Sequence, residues 1–161
     1  MADETEALKH NFFFKGFFKH RGYYNLAHIS PDKYRKDPLF ASPANSRVWL
    51  SGADLFQHSS NGPEELSPQG KALLNHALTQ FGDDSVVESP IVIEGYWDGD
   101  NPADQLAFSR VRAILVRQYL ESHFQLDPGN LAAVPMKNLP PSGTGHKAWD
   151  GVCIVIIKVK T

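Results

Sequence analysis

Residues Val152 to Lys160 read VCIVIIKVK, an unbroken β-forming run close to the C-terminus. In an extended strand successive side chains point to opposite faces. Cys153, Val155, Ile157 and Val159 therefore share one face, and Val152, Ile154 and Ile156 share the other. A strand apolar on both faces has to be covered on both, so the sheet built on it must be packed between other elements. At 161 residues and 17.9 kDa the chain is long enough for one core of that kind. A hydrophobic fraction of 42% against 21% charged residues excludes the disordered and fibrous classes. Sixteen basic and eighteen acidic residues leave a net charge of -2, so no global field draws the chain to nucleic acid.

Two further strands and two helices can be placed around that run. Arg47 to Phe56 is rich in β-formers and reads as the first strand, with Gly52 as a bulge. Ser67-Pro68 is a helix cap followed by proline at the first helical position, after which Leu73, Leu74, Ala77, Leu78 and Phe81 recur at helical spacing. Ile91 to Tyr96 is a second short strand, and Phe108, Val111, Leu115 and Tyr119 mark a second helix ending near His123. Leu131 to Met136 is a strand that Pro135 pushes to a sheet edge. The fold class expected is α/β: a two-layer β-α-β-α-β-β sandwich with an extra aromatic-rich N-terminal helix.

That N-terminal helix, residues 4–20, holds five of the ten phenylalanines between Phe12 and Phe18, interleaved with Lys9, Lys15 and Lys19. Its apolar stripe is too wide for an ordinary surface helix. It is a candidate to cover the second face of the C-terminal strand, or else an interaction surface formed by Phe12, Phe13, Phe17 and Phe18. Residues 1–46, with Pro31, Pro38 and Pro43 and a short helix expected from Ser30-Pro31-Asp32, read as an appendage to a domain spanning residues 47–161. No apolar run approaches the roughly 18 residues of a membrane span, and Asp3, Glu4 and Glu6 stand where a signal peptide would be basic.

Catalytic and cofactor motifs are missing. Ser142-Gly143-Thr144-Gly145-His146-Lys147 lacks the ending of a phosphate loop, the seven His are dispersed, and the lone Cys153 lies inside a strand. The reading is therefore of a non-enzyme without metal or cofactor. The informative stretch is EGYWDGDNPADQLAFSRVRAILVRQYL, residues 94–120. It sends Asp98 off the end of a strand and places Arg112 on the following helix, where both can face one crevice. An acid and a guanidinium there can clamp a zwitterion or simply pair with each other.

Glu94-Gly95-Tyr96-Trp97-Asp98 followed by Phe108-Ser109-Arg110-Val111-Arg112-Ala113, with Leu66-Ser67-Pro68 and Gly70 upstream, resembles the OmpA-like (peptidoglycan-associated) domain over about residues 47–160. The family pattern is Gly-His-Thr-Asp, a loop, then Asn-x-x-Leu-Ser-x-x-Arg-Ala. The resemblance implies noncovalent recognition of the peptidoglycan stem peptide, with Asp98 taking an ammonium, Arg112 a carboxylate, and Trp97 and Gln105 as neighbours. The chain departs from the pattern at Tyr96, Trp97 and Gln105, at Val134-Pro135-Met136 in place of Gly-Tyr-Gly, and at Asp150-Gly151 in place of Arg-Arg. Phe17 to Tyr24, Arg47 to Leu50, Pro141 to Gly145 and Trp149 to Cys153 resemble the C-terminal region of bacterial MCE (mammalian cell entry, MlaD-like) proteins. That likeness implies part of a longer, exported and membrane-anchored lipid-transport protein of the periplasm, bound to peptidoglycan or an envelope protein. The aromatic N-terminal region leaves scope for membrane or lipid contact through residues 1–24 and for oligomers, and the near-neutral charge speaks against nucleic acid. The alternative is a degenerate OmpA-like scaffold for protein or lipid interaction without peptidoglycan binding.

Overall fold

The structure, a computed structural model, describes residues 30–60, 62–81 and 89–158. Phe12, Phe13, Phe17 and Phe18, and with them the N-terminal helix, lie outside the described residues. The described chain is mixed α/β. It runs α1 (Pro31–Lys36), α2 (Pro38–Ala41), β1 (Ser46–Ser51), α3 (Gly52–Leu55), β2 (Phe56–His58), β3 (Glu64–Leu66), α4 (Pro68–Gln80), β4 (Ile91–Tyr96), α5 (Pro102–His123), a 3-10 turn (Pro128–Asn130), β5 (Leu131–Pro135) and β6 (Gly151–Ile156).

The main sheet has the order β1-β6-β4-β5. The C-terminal strand β6 is thus interior, antiparallel to β1 with Val48 opposite Ile154, and antiparallel to β4 with Ile93 opposite Ile154. β4 and β5 run parallel because α5 intervenes and returns the chain to the same end of the sheet. β5 takes the edge, where Pro135 removes no needed donor.

Both faces of the sheet are dry, as the two-faced apolar pattern of β6 demands. Val152 and Ile154, with Ile91, Ile93, Leu131 and Ala133, pack against Leu74, Ala77 and Leu78 of α4 and Ala113, Val116 and Leu120 of α5. Cys153, Val155 and Ile157, with Val92, Tyr96, Ala132 and Val134, form a second core. Residues 30–45 cover part of that second face, through Tyr34 and Phe40, whose rings stack at 4.5 Å. Met136, Trp49 and Trp149 contribute further cover.

Local signals account for the element starts. Ser67 Oγ accepts from Gly70 N at 2.9 Å and Asn101 Oδ1 from Ala103 N at 2.9 Å, each ahead of a proline at the first helical turn. α1 begins at Pro31 as expected. The strand expected through Phe56 is corrected: it stops at Ser51, whose hydroxyl accepts from Asp54 N and caps the single turn α3, so Gly52 opens a helix and is no bulge. The chain then folds into the β2–β3 hairpin, an element absent from the β-α-β-α-β-β order expected. Among the described residues no helix is long and apolar enough to cross a membrane.

Burial, and next the Glu94 charge, hold the phenols of Tyr34 and Tyr96 well above their ordinary value, and the same two causes raise the Cys153 thiol. Groups that are neutral when protonated and whose folded pKa is raised keep their contribution below the ordinary thiol and phenol values, 9.0 and 10.0, and lose it as pH rises through the folded ones. Melting temperature followed by circular dichroism should stay level to about pH 9 and then fall, with a shallower fall above about pH 10 in Tyr34→Phe. Equal slopes in the two proteins would remove Tyr34 from the groups responsible.

Candidate binding site

The candidate site lies at the C-terminal end of β4, where the chain leaves the sheet through residues 97–101 and enters α5. Close approach of helix and strand sets its geometry. Gly95 lies so near α5 that a Cβ there would collide with the Ser109 carbonyl, and Ser109 is itself fully buried. One turn further along α5, Arg112 is brought over the end of β4, and its Nη1 donates to the Tyr96 carbonyl at 2.8 Å.

Arg112 does not face Asp98. Its Nε and Nη2 donate to the two carboxylate oxygens of Glu64 at 2.9 and 2.7 Å, a bidentate fork, and its Nη1 also reaches Asp150 Oδ1 at 2.5 Å. Four donor bonds are committed, and the guanidinium lies 5.3 Å from the Phe56 ring, with only 6% of the side chain exposed. Gly52 leaves room for it, since a Cβ there would stand 3.0 Å from Nη1 and Nη2. Burial by itself lowers the guanidinium pKa, but the bonds from Glu64 and Asp150 outweigh it and the pKa rises. One positive group is therefore held between two negative ones.

The missed hairpin supplies Glu64, and the loop before β6 supplies Asp150. Phe56-Gln57-His58 and Glu64-Glu65-Leu66 flank Asn61-Gly62 in the sequence, which is the signal that could have found the hairpin. Asp150 is followed by Gly151, and the glycine has a steric reason. Gly151 has a φ of +146°, and a Cβ there would collide with the Leu50 carbonyl as β6 begins to pair with β1.

Asp98 is exposed and makes no ion pair among the described residues. Trp97 and Gln105 shape the loop that carries it. Trp97 N donates to the Lys137 carbonyl at 2.6 Å, and the Trp97 ring packs 4.9 Å from Phe108 and lies close over Gly99, where a Cβ would meet the indole. Gln105 Nε2 donates to the Gly99 carbonyl at 2.5 Å. Phe108 and Val111 of α5 stay 44% and 41% exposed, and Phe108 is the ring against which Trp97, the residue before Asp98, packs. Among the described residues no three His, Cys, Asp or Glu side chains gather as a metal-binding group.

Replacing Arg112 with Ala leaves Glu64 and Asp150 facing each other without a cation. Removing one member of a fully buried ion pair costs about 3–5 kcal/mol, and solvent at Asp150, 41% exposed, reduces that here to roughly 2–3 kcal/mol. Urea denaturation should report that loss. Arg112→Lys should recover little of it, because a point charge cannot make the fork to Glu64. No protein-family model matches the chain, and no curated protein matches it.

Proposed function

We propose that the chain is a non-catalytic binding module of a cell-envelope protein, a degenerate OmpA-like scaffold from the C-terminal region of an MCE-type lipid-transport protein. In this reading it engages a protein partner without the Asp–Arg stem-peptide clamp. Support for the scaffold is the resemblance in residues 94–113, together with a main sheet entered in the order strand, helix, strand, helix, strand, strand. The observation that carries the loss of the clamp is the commitment of Arg112 to Glu64, Asp150 and the Tyr96 carbonyl. A ligand carboxylate would have to displace two protein carboxylates that already satisfy the guanidinium, and it would enter a region carrying excess negative charge. Asp98 keeps its half of the role. Exposed, and next in sequence to Trp97, whose ring contacts the exposed Phe108, it suits a partner offering a cationic group together with an apolar side chain.

A sacculus pull-down tests this. The wild-type chain should stay in the supernatant. The double variant Glu64→Gln/Asp150→Arg, which frees Arg112 and restores one basic residue of the OmpA-like pattern, should be retained. Retention of wild type that disappears in Arg112→Ala would overturn the proposal in favour of peptidoglycan anchoring through Asp98 and Arg112.

A further inference from the structure

A second cluster of charge lies on the other side of the sheet, independent of Arg112. Glu94 is fully buried there, and its carboxylate accepts from Tyr34 Oη at 2.5 Å, Tyr96 Oη at 2.7 Å and Arg47 Nη1 at 2.7 Å. Arg47 also donates through Nη2 to the Phe40 carbonyl at 2.8 Å and lies 3.7 Å from Cys153 Sγ, while its buried Nε makes no hydrogen bond among the described residues. Tyr34 and the Phe40 carbonyl belong to residues 30–45, the segment laid over this face.

The hold on that segment is both apolar and polar. Tyr34 and Phe40 are buried in the second core with Leu39 packed against it, while Arg35 donates to the Leu139 and Met136 carbonyls, each at 2.7 Å, and Asn45 bridges the Leu39 carbonyl to Lys158 N, each at 2.9 Å. None of residues 30–45 contributes to the first core, which α4 and α5 close together with Leu55 and Phe56. If the segment lifts, Glu94 and Arg47 meet water and recover hydration that burial took from them, and the orphaned Nε gains a partner. Lifting it therefore costs less than its buried aromatic area alone implies, and leaves the first core intact.

We infer that residues 30–45 are a releasable strap, latched by the Tyr34 hydroxyl on Glu94, whose release uncovers a groove floored by Glu94, Arg47 and Cys153. The opening is subglobal: sheet and helices stay folded while one edge of the second core becomes accessible. The strap is its own ligand, an aromatic segment presenting a phenol to a buried carboxylate.

Cys153 is the sole cysteine and is fully buried in that groove, so its reaction with N-ethylmaleimide in the full chain reads the opening directly. Tyr34→Phe, which keeps the ring and removes the latch, should raise the native labelling rate by about tenfold or more. Leu74→Ala, in the first core, should lower the denaturation midpoint yet leave native labelling unchanged, with the smaller deletion Val116→Ala serving if Leu74→Ala does not fold. Labelling that accelerates in the first-core variants in step with their lost stability would show that Cys153 is reached only by global unfolding, which overturns the strap. An unchanged rate in Tyr34→Phe would overturn the latch.

Discussion

The two-sided burial of β6 is the constraint on which the rest of the structure depends. The strand pairs with β1 on one side and β4 on the other, and its side chains enter both cores. Helices α4 and α5 serve one face, so the other needs cover from elsewhere in the chain. Residues 30–45 supply part of it, and the aromatic residues Trp49 and Trp149 close it further. A single strand pattern thus fixes the sheet as the middle layer.

The two arginines show how differently one residue type can be used on the two sides of that layer. Arg47 and Glu94 lie within the second core, where the tyrosine hydroxyls of Tyr34 and Tyr96 complete the carboxylate's bonding. Arg112 sits at the sheet's end, where Asp150 gives it an internal acid and Gly151 gives β6 the close approach to β1 that a side chain at 151 would prevent. In both places the arginine is held through bonds to backbone carbonyls as well as carboxylates, so each ties separate stretches of chain together.

Much of the fold was legible in the residues. The Ser67-Pro68 cap, the apolar run at Ile91, the edge position of Pro135 and the alternation of Val152 to Ile157 each reflect a local or periodic rule and are found in the structure, although β6 ends at Ile156 where a strand to Lys160 was expected, and Val159 lies outside the described residues. The end of the first strand was set too late because the apolar Val48-Trp49-Leu50 and Leu55-Phe56 were joined across Ser51 to Asp54 with Gly52 as a bulge, whereas the Ser51 hydroxyl capping the next turn decides the boundary. The site was less legible. Sequence spacing brought Arg112 to the right end of the sheet, but it could not say which acid would take it, because Glu64 lies 48 residues away and Asp150 38.

The sequence by itself determined much of the layering: a strand apolar on both faces, a helix capped at Ser67-Pro68 and an edge strand marked by proline leave few other arrangements, whereas Phe108 and Val111 of the stripe read for the second helix stay exposed and Ala113, Val116 and Leu120 make its packed face. Tertiary structure alone decided the pairing of charges. Asp98 and Arg112 are close in sequence and compatible in chemistry, yet the hairpin and the turn before β6 deliver two carboxylates to the guanidinium first, with a geometry that satisfies its fork. Which acid wins is a matter of where distant segments cross, and no local pattern encodes that.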